Sequence, residues 1–229
     1  MGRTKVFKPE IAVKIAMFVF WKNGYEATSM DDLLKAMNIS RSSFYDTFGN
    51  KENLYIQTIN FFATMSDYSW HQFTLRSKED ASLAEIVRQF TGARITQVMN
   101  PDLQGCYAAN SALELGGHIK EVQISSKKFF DMYREAFEFC LTNAQKKGEI
   151  SDHHNLSSTA LYLVNAISGL SVLAKSGSSV EEIDSIIKAT LSIFKDFSSE
   201  LYAKTIKDVE KKYLPKMLDM MEKYPEIDV

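Results

Sequence analysis

A helical pattern of hydrophobic and polar positions lies between residues 28 and 54. Apolar residues recur at helical spacing from Leu33 onward and would bury one face of a helix. Asn38 interrupts this run, and asparagine tolerates the positive φ that a tight turn between helices often needs. Phe44 and Phe48 then give a second, shorter helix its buried side. The pattern predicts a helix, a tight turn, a short helix and then a third helix.

Polar residues at the ends of these segments suit helix termini. Thr28 and Ser29 are N-cap residue types, and the two aspartates that follow fall in the first turn, where carboxylates suit the positive end of a helix. Ser40 is an N-cap residue type for the second helix, which would end at Gly49. The end signals and the apolar periodicity therefore indicate the same boundaries.

This layout is a helix-turn-helix, and its second helix is short enough to place its N-terminal end in a major groove about 12 Å wide. That end carries Arg41, Ser42 and Ser43, which suit base edges and phosphates. Tyr45 lies off the buried face, and its hydroxyl could reach a phosphate, as could Lys51 at the start of the next helix. Serine caps and surface charges also occur in any small helical bundle, so the layout alone leaves both interpretations open.

Two motifs make the interpretation more specific: G-Y-x-x-T-S-M-x-D-L from Gly24, and I-S-R-S-S-F-Y-x-x-F-G-N-K-E-N-L from Ile39. Together they resemble the N-terminal domain of the TetR family of bacterial transcription regulators. The resemblance runs without a gap over residues 11–54. Asn38 is a departure, because family members commonly have glycine there, but asparagine allows the same turn.

The resemblance implies a homodimer that binds a pseudo-palindromic operator on double-stranded DNA and represses transcription until a small apolar or aromatic ligand releases it. Bases would be contacted by Arg41, Ser42 and Ser43. Phosphates would be held by Thr28, Ser29, Tyr45 and Lys51. An activator that has no ligand stays an alternative, as does a helical adaptor that binds another protein through a methionine-rich stripe near the C-terminus.

Amphipathic segments without strand-like alternation fill the rest of the chain, so the predicted fold is all-α. It would combine an N-terminal three-helix DNA-binding domain of the helix-turn-helix type with a larger helical domain for ligand binding and dimerisation. The predicted domains are residues 1–54, with the helix-turn-helix at about 29–48, then 55–204, and a C-terminal helical extension at 205–229.

A ligand pocket is expected among aromatic residues of the helical body. The motif G-C-x-x-x-N-x-A-x-E from Gly105 to Glu114 resembles one subgroup of TetR-family C-terminal domains. Apolar side chains with a few polar groups are typical of small-molecule sites, although most of these residues could simply form core. The candidate lining residues are Phe62, Met65, Tyr107, Asn110, Phe130, Tyr133 and Phe137.

Residues 155–174 contain no charged side chain. Their length would allow a membrane span, but seven polar residues argue against lipid contact and for burial against protein. Ser179 and Glu182 form a capping box for the next helix, whose apolar side extends from Ile183 to Leu201. Two adjacent helices with wide apolar faces favour a dimer interface, and an ordinary intramolecular core is the alternative.

Composition and charge add modest constraints. The 229 residues carry a net charge of -2, with residues 1–60 slightly basic and the remainder slightly acidic, which is compatible with a DNA-facing end. The N-terminal apolar run, residues 11–21, is interrupted by Lys14 and lacks a cleavage site typical of a signal peptide. Two cysteines suggest a reduced, cytoplasmic protein.

The sequence offers little support for catalysis. The four histidines show no metal-ligand spacing with one another or with the cysteines, and no glycine-rich phosphate loop is present. We therefore expect neither enzyme activity nor a metal or cofactor. Cys106 lies near a predicted helix start, where a lowered thiol pKa would suit a redox or electrophile sensor, although a buried, inert cysteine is the commoner case.

Overall fold

The computed structural model describes residues 7–75, 81–99, 105–194 and 202–208, together with residues 200 and 211, and the side chains of residues 66–75 and 95–99 are not described. The described residues contain helices and turns and no strand, which confirms the all-α prediction. In chain order the helices are α1 (Pro9–Asn23), α2 (Met30–Met37), α3 (Arg41–Phe48), α4 (Lys51–Leu75), α5 (Leu83–Met99), α6 (Tyr107–Leu115), α7 (Lys120–Lys146), α8 (Leu156–Lys175) and α9 (Val180–Leu191).

Local signals explain where these helices begin and end. Ser29 forms a capping box with Asp32, because each side chain bonds the backbone amide of the other residue. A second capping box joins Ser179 to Glu182 at the start of α9, as predicted. Asn38 ends α2 in the left-handed region, with φ of 51°.

The described residues fall into two compact units. The head unit contains residues 7–66 and 107–129, and the body unit contains residues 67–75, 81–99, 105–106, 130–194 and 202–208. Residues 107–129, which lie in the predicted second domain, thus cluster with the N-terminal helices. The reason is that Tyr107, Leu115 and Val122 are buried in the same core as α1 to α4.

The head unit has a core with internal hydrogen bonds. Phe20, Phe44 and Tyr55 are buried among the aliphatic side chains of α1 to α4. The Tyr55 hydroxyl donates to the Ser111 hydroxyl at 2.9 Å, and the hydroxyls of Thr58 and Tyr107 lie 2.6 Å apart. Because both pairs join α4 to α6, they fix α6 within the head unit.

The body unit is built from α5, most of α7, α8 and α9 around an apolar core that includes Phe90, Phe137 and Leu163. One partly buried ion pair connects α5 to α9, with Arg94 Nε 2.6 Å from Asp184 Oδ1. The Tyr202 hydroxyl donates to the same carboxylate oxygen at 2.8 Å. These bonds hold the helical stretch 202–208 to the body core.

One sequence prediction differs from the structure, and others concern residues that the structure does not describe. The helix α9 ends at Leu191, where the apolar pattern predicts a continuous side reaching Leu201, although Phe194 is still buried in the body core. The predicted basic arm at 1–6, the turn at 100–102 and the tail at 212–229 lie outside the described residues.

Candidate nucleic-acid interface

The turn between α2 and α3 is closed by backbone hydrogen bonds and by one unusual backbone conformation. The amide of Ile39 donates to the Leu34 carbonyl at 3.2 Å, while Asn38 adopts its positive φ. Leu33 and Phe44 are completely buried, so the two helices share one apolar contact. This packing fixes α3 relative to α2 and leaves its opposite side to solvent.

The N-terminal end of α3 carries the residues that the sequence predicts for DNA contact. The Ser40 hydroxyl accepts from the Ser43 amide at 3.2 Å and also donates to the Ser43 hydroxyl at 2.9 Å. Arg41 and Ser42 are exposed, and Ser43 is half-buried. Tyr45 is 47% exposed, one position beyond the buried Phe44. The structure thus brings these four predicted residues to one exposed end and side of a short, capped helix.

Arg41 is held by Asp31, a partner that the predicted set of DNA contacts does not include. Its Nη2 donates to Asp31 Oδ1 of α2 at 2.6 Å, and the two side chains are 54% and 82% exposed. The guanidinium has five N–H donors, so others stay available for a base or phosphate. Asp31 and Arg41 are ten residues apart, on either side of the turn between α2 and α3. Because these helices must pack closely at the turn, this spacing of opposite charges could have indicated the ion pair.

The predicted phosphate contacts have different surroundings. Ser29 is exposed at the start of α2, where its hydroxyl donates to Asp32 Oδ2 at 2.6 Å, and these hydrogen bonds lower the pKa of Asp32. Lys51 is half-exposed, with its Nζ 4.3 Å from the centroid of the Tyr25 ring. Thr28 is fully buried, and its hydroxyl donates to the Gly24 carbonyl at 2.6 Å. The Thr28 side chain therefore stabilises the turn after α1 and has no exposed face for a phosphate.

The candidate ligand residues divide between the two units. Tyr107 is buried in the head unit, where Phe62 and Met65 pack on the same core and Asn110 is half-buried on α6. In the body unit, Phe137 is buried in the core. The body unit also contains Phe130 and Tyr133, which pack partly buried against that core, and burial raises the pKa of Tyr133.

Neither cysteine forms a disulfide. Cys106 is half-buried, whereas Cys140 lies in the body core, where burial raises the pKa of its thiol to about 12. Within the described residues, no group of three or more histidine, cysteine or carboxylate side chains could hold a metal ion.

The body unit exposes an apolar face along α8 and α9. Leu161 is 55% exposed and Val172 is 54% exposed, and Tyr162 lies beside them on α8. On α9, Ile186 is also exposed. The opposite side of α8 is buried, including Leu163 and Leu170. The helix α8 is long and apolar enough to cross a membrane by length and composition alone, which is weak support for such a role.

Comparisons with known proteins identify the class of this chain. Residues 13–58 match the model of a protein family described as "Bacterial regulatory proteins, tetR family". The chain is 27% identical to the HTH-type transcriptional regulator YezE of Bacillus subtilis, over 84% of this chain and 99% of that protein. It is 28% identical to the HTH-type transcriptional repressor ComR of Escherichia coli, over 84% of this chain and 91% of that one.

A solved structure has a similar fold over most of the chain. The TetR family transcriptional regulator CifR, complexed with a 26 bp double-strand operator DNA, superimposes with a TM-score of 0.71. The sequence identity is 21%, over 83% of this chain and 98% of that one, so this likeness concerns the fold. The family match over residues 13–58 and the similarity to these regulators support a TetR-type bacterial transcription regulator. The chain is a DNA-binding regulator and not an enzyme, as the sequence predicts.

Proposed function

We propose that this protein is a transcriptional repressor that binds a specific operator sequence through α3. The observation that carries the proposal is the exposed end of α3, where Arg41, Ser42 and Ser43 lie on a helix fixed by its serine cap and by burial of Phe44. Rigid presentation of polar groups at a helix N-terminus suits a major groove. Repression is supported by relatives described as repressors, including ComR.

The contacts divide by chemistry. Arg41 has the donor geometry for the O6 and N7 acceptors of guanine. The hydroxyls of Ser42 and Ser43 can donate to phosphates, and they can donate to or accept from base edges. Ser29, Tyr45 and Lys51 would hold phosphates on either side of α3. Thr28 is left out of this set because its side chain is buried.

The protein would act as a homodimer that pairs through α8 and α9. Exposed Leu161 and Val172 leave apolar surface in water, and no charged residue interrupts residues 156–174. A two-fold dimer would bury this face against its own copy and present two α3 helices to two half-sites. A DNA-binding homodimer of this kind would act in the cytoplasm.

The release signal would be a small apolar or aromatic molecule. The candidate contacts in the head unit are Phe62, Met65, Tyr107 and Asn110, and those in the body unit are Phe130, Tyr133 and Phe137. Each set is proposed by itself as a place where such a molecule would bind. Such a ligand lowers operator affinity only if it binds the DNA-free state more tightly than the bound state. A thermal shift on ligand addition, followed by loss of operator binding, would support this part of the proposal.

Selection from random DNA followed by a gel shift tests the proposal. Wild-type protein should select a two-fold sequence and retain it against scrambled competitor at physiological salt. Arg41→Ala should weaken binding to that sequence by about 1–3 kcal/mol and relax preference at one base pair in each half-site. Lys120→Ala is a matched control, because Lys120 is also an exposed basic residue at the first position of a helix. Failure of wild-type protein to select any sequence would contradict the proposal.

A further inference from the structure

We propose that Glu114 of α6 is a positioning residue for DNA binding, which holds the turn after α1 and, through the Tyr25 ring, the ammonium group of Lys51. This inference rests on the proposed function, because Lys51 is expected to contact a phosphate. Glu114 is also the last residue of the G-C-x-x-x-N-x-A-x-E motif, and it is not among the residues proposed to contact DNA. The inference therefore gives this glutamate a structural role.

The first link is a carboxylate that accepts backbone amides from a distant turn. Tyr25 N donates to Glu114 Oε1 at 2.8 Å and to Oε2 at 3.0 Å, and Glu26 N donates to Oε1 at 3.1 Å. Both residues lie just beyond the end of α1 at Asn23, where the preceding amide, Gly24 N, still donates to the Phe20 carbonyl. Hydrogen bonds to a charged acceptor are stronger than neutral ones, which makes this contact well suited to fixing a turn.

The turn itself is shaped for this approach. Gly24 has φ of +83°, and a Cβ placed there would lie 3.1 Å from Glu114 Oε1. A side chain at this position would therefore be strained in its backbone and would crowd the carboxylate. Glycine allows Glu114 to approach the two amides directly.

The second link is the Tyr25 ring. The ring centroid lies 4.3 Å from Lys51 Nζ, a distance at which the ring face attracts an ammonium group. Tyr55 packs edge-on against the same ring at 4.9 Å, and Phe20 stacks at 6.0 Å. The pKa of Tyr25 is raised, first by burial and then by Glu52, so the ring stays neutral while it holds the lysine.

Glu114 can act as a fixed point because α6 is fastened to the core of the head unit. Tyr107, Ser111 and Leu115 are buried on one side of this short helix, at the spacing of one helical face. The hydroxyls of Tyr107 and Ser111 bond Thr58 and Tyr55 of α4. Glu114 lies beside this buried side and reaches the turn from it. The same contacts thus join α6, the turn after α1 and the first residue of α4.

An ammonium group that is already held near its working position loses less conformational freedom when it meets a phosphate. Loss of Glu114 should therefore free Tyr25 and weaken the Lys51 contact. A purely electrostatic role predicts the opposite result, since removal of a carboxylate near DNA should strengthen binding. The sign of the change separates the two explanations.

The test measures affinity for the duplex that wild-type protein selects from random DNA, as a function of salt, for Glu114→Ala, Glu114→Gln and Lys51→Ala. We expect Glu114→Ala to lower the affinity roughly fivefold per protomer near 0.15 M salt, as for one lost phosphate contact. The slope of log affinity against log salt concentration should become less steep by about 0.9 per protomer. Glu114→Gln keeps one accepting oxygen and should fall between wild type and Ala. The double variant with Lys51→Ala should bind no more weakly than Lys51→Ala alone. Glu121→Ala, which removes an exposed carboxylate from α7, is the control.

Proton NMR of the DNA-free protein supplies an independent readout. The side-chain methylene protons of Lys51 should show an upfield ring-current shift in wild type that Glu114→Ala removes, while circular dichroism stays unchanged. Wild-type affinity in Glu114→Ala, or additive losses in the double variant, would overturn the positioning role and leave the proposed function intact. Absence of any selected duplex for wild-type protein would overturn both.

Discussion

The exposed end of α3 and the exposed face of α8 show two different ways in which a surface indicates its partner. At α3 the exposed groups are polar, and water hydrates them without cost, so exposure alone says little. Their arrangement is informative, because a serine cap and the Asp31 carboxylate hold them in place. At α8 the exposed groups are apolar, and exposure of Leu161 and Val172 is itself unfavourable by about 25 cal/mol per Å². At α3, therefore, the arrangement of polar groups indicates a polar partner. At α8 the cost of exposing apolar side chains indicates an apolar partner.

The largest expected effect comes from placing a charge in the apolar face. Val172→Glu should abolish dimerisation, because burial of a carboxylate in each copy costs on the order of several kcal/mol. Sedimentation should show a monomer, and specific DNA binding should be lost with it. Ile124→Glu is the control, since Ile124 is 57% exposed on α7 in the head unit. An unchanged dimer in Val172→Glu would contradict pairing through this face.

The ion pair between Arg41 and Asp31 gives the next effect. Asp31→Asn removes the carboxylate that holds Arg41, so affinity for scrambled DNA should rise, by roughly fivefold per protomer near 0.15 M salt. Affinity for the selected sequence should rise less, since Arg41 loses its orientation. The ratio of the two dissociation constants is the measurement. Glu10→Gln, which removes a first-turn carboxylate from α1, should leave that ratio unchanged. An unchanged ratio in Asp31→Asn would mean that the ion pair plays no part in base preference.

The smallest effect concerns the turn that orients α3. Asn38→Ala should lower the free energy of unfolding by about 0.5–1 kcal/mol, because alanine is disfavoured at the positive φ that Asn38 adopts. Asn38→Gly should be close to neutral. Urea unfolding of both variants measures the difference. Equal stability in the two would show that the turn tolerates another conformation.

Local signals allowed most of the helix-turn-helix to be predicted from sequence. The caps at Ser29 and Ser40 and the turn at Asn38 are formed by hydrogen bonds within five residues, and Phe44 and Phe48 lie four residues apart on one helical face. Local hydrogen bonds and periodicity therefore determine them, and tertiary packing agrees with both.

The contacts that sequence reasoning missed join residues that are distant along the chain. Asp31 meets Arg41 across a turn, and Glu114 meets Tyr25 over 89 positions. The residue type of Thr28 predicts a helix cap and a phosphate contact, but tertiary packing buries its side chain. Side-chain partners of this kind depend on how helices pack, and residue spacing does not specify them.

The contrast between the two cysteines has a practical consequence for spectroscopy. Cys140 is buried with a thiol pKa of about 12, so at pH 7 only about one molecule in 10⁵ carries the reactive thiolate there. Cys106 is half-buried, and the chain has no third cysteine. A maleimide dye should therefore attach to each folded chain at Cys106 alone. The natural sequence thus provides a single labelling position for fluorescence measurements, without any engineered substitution.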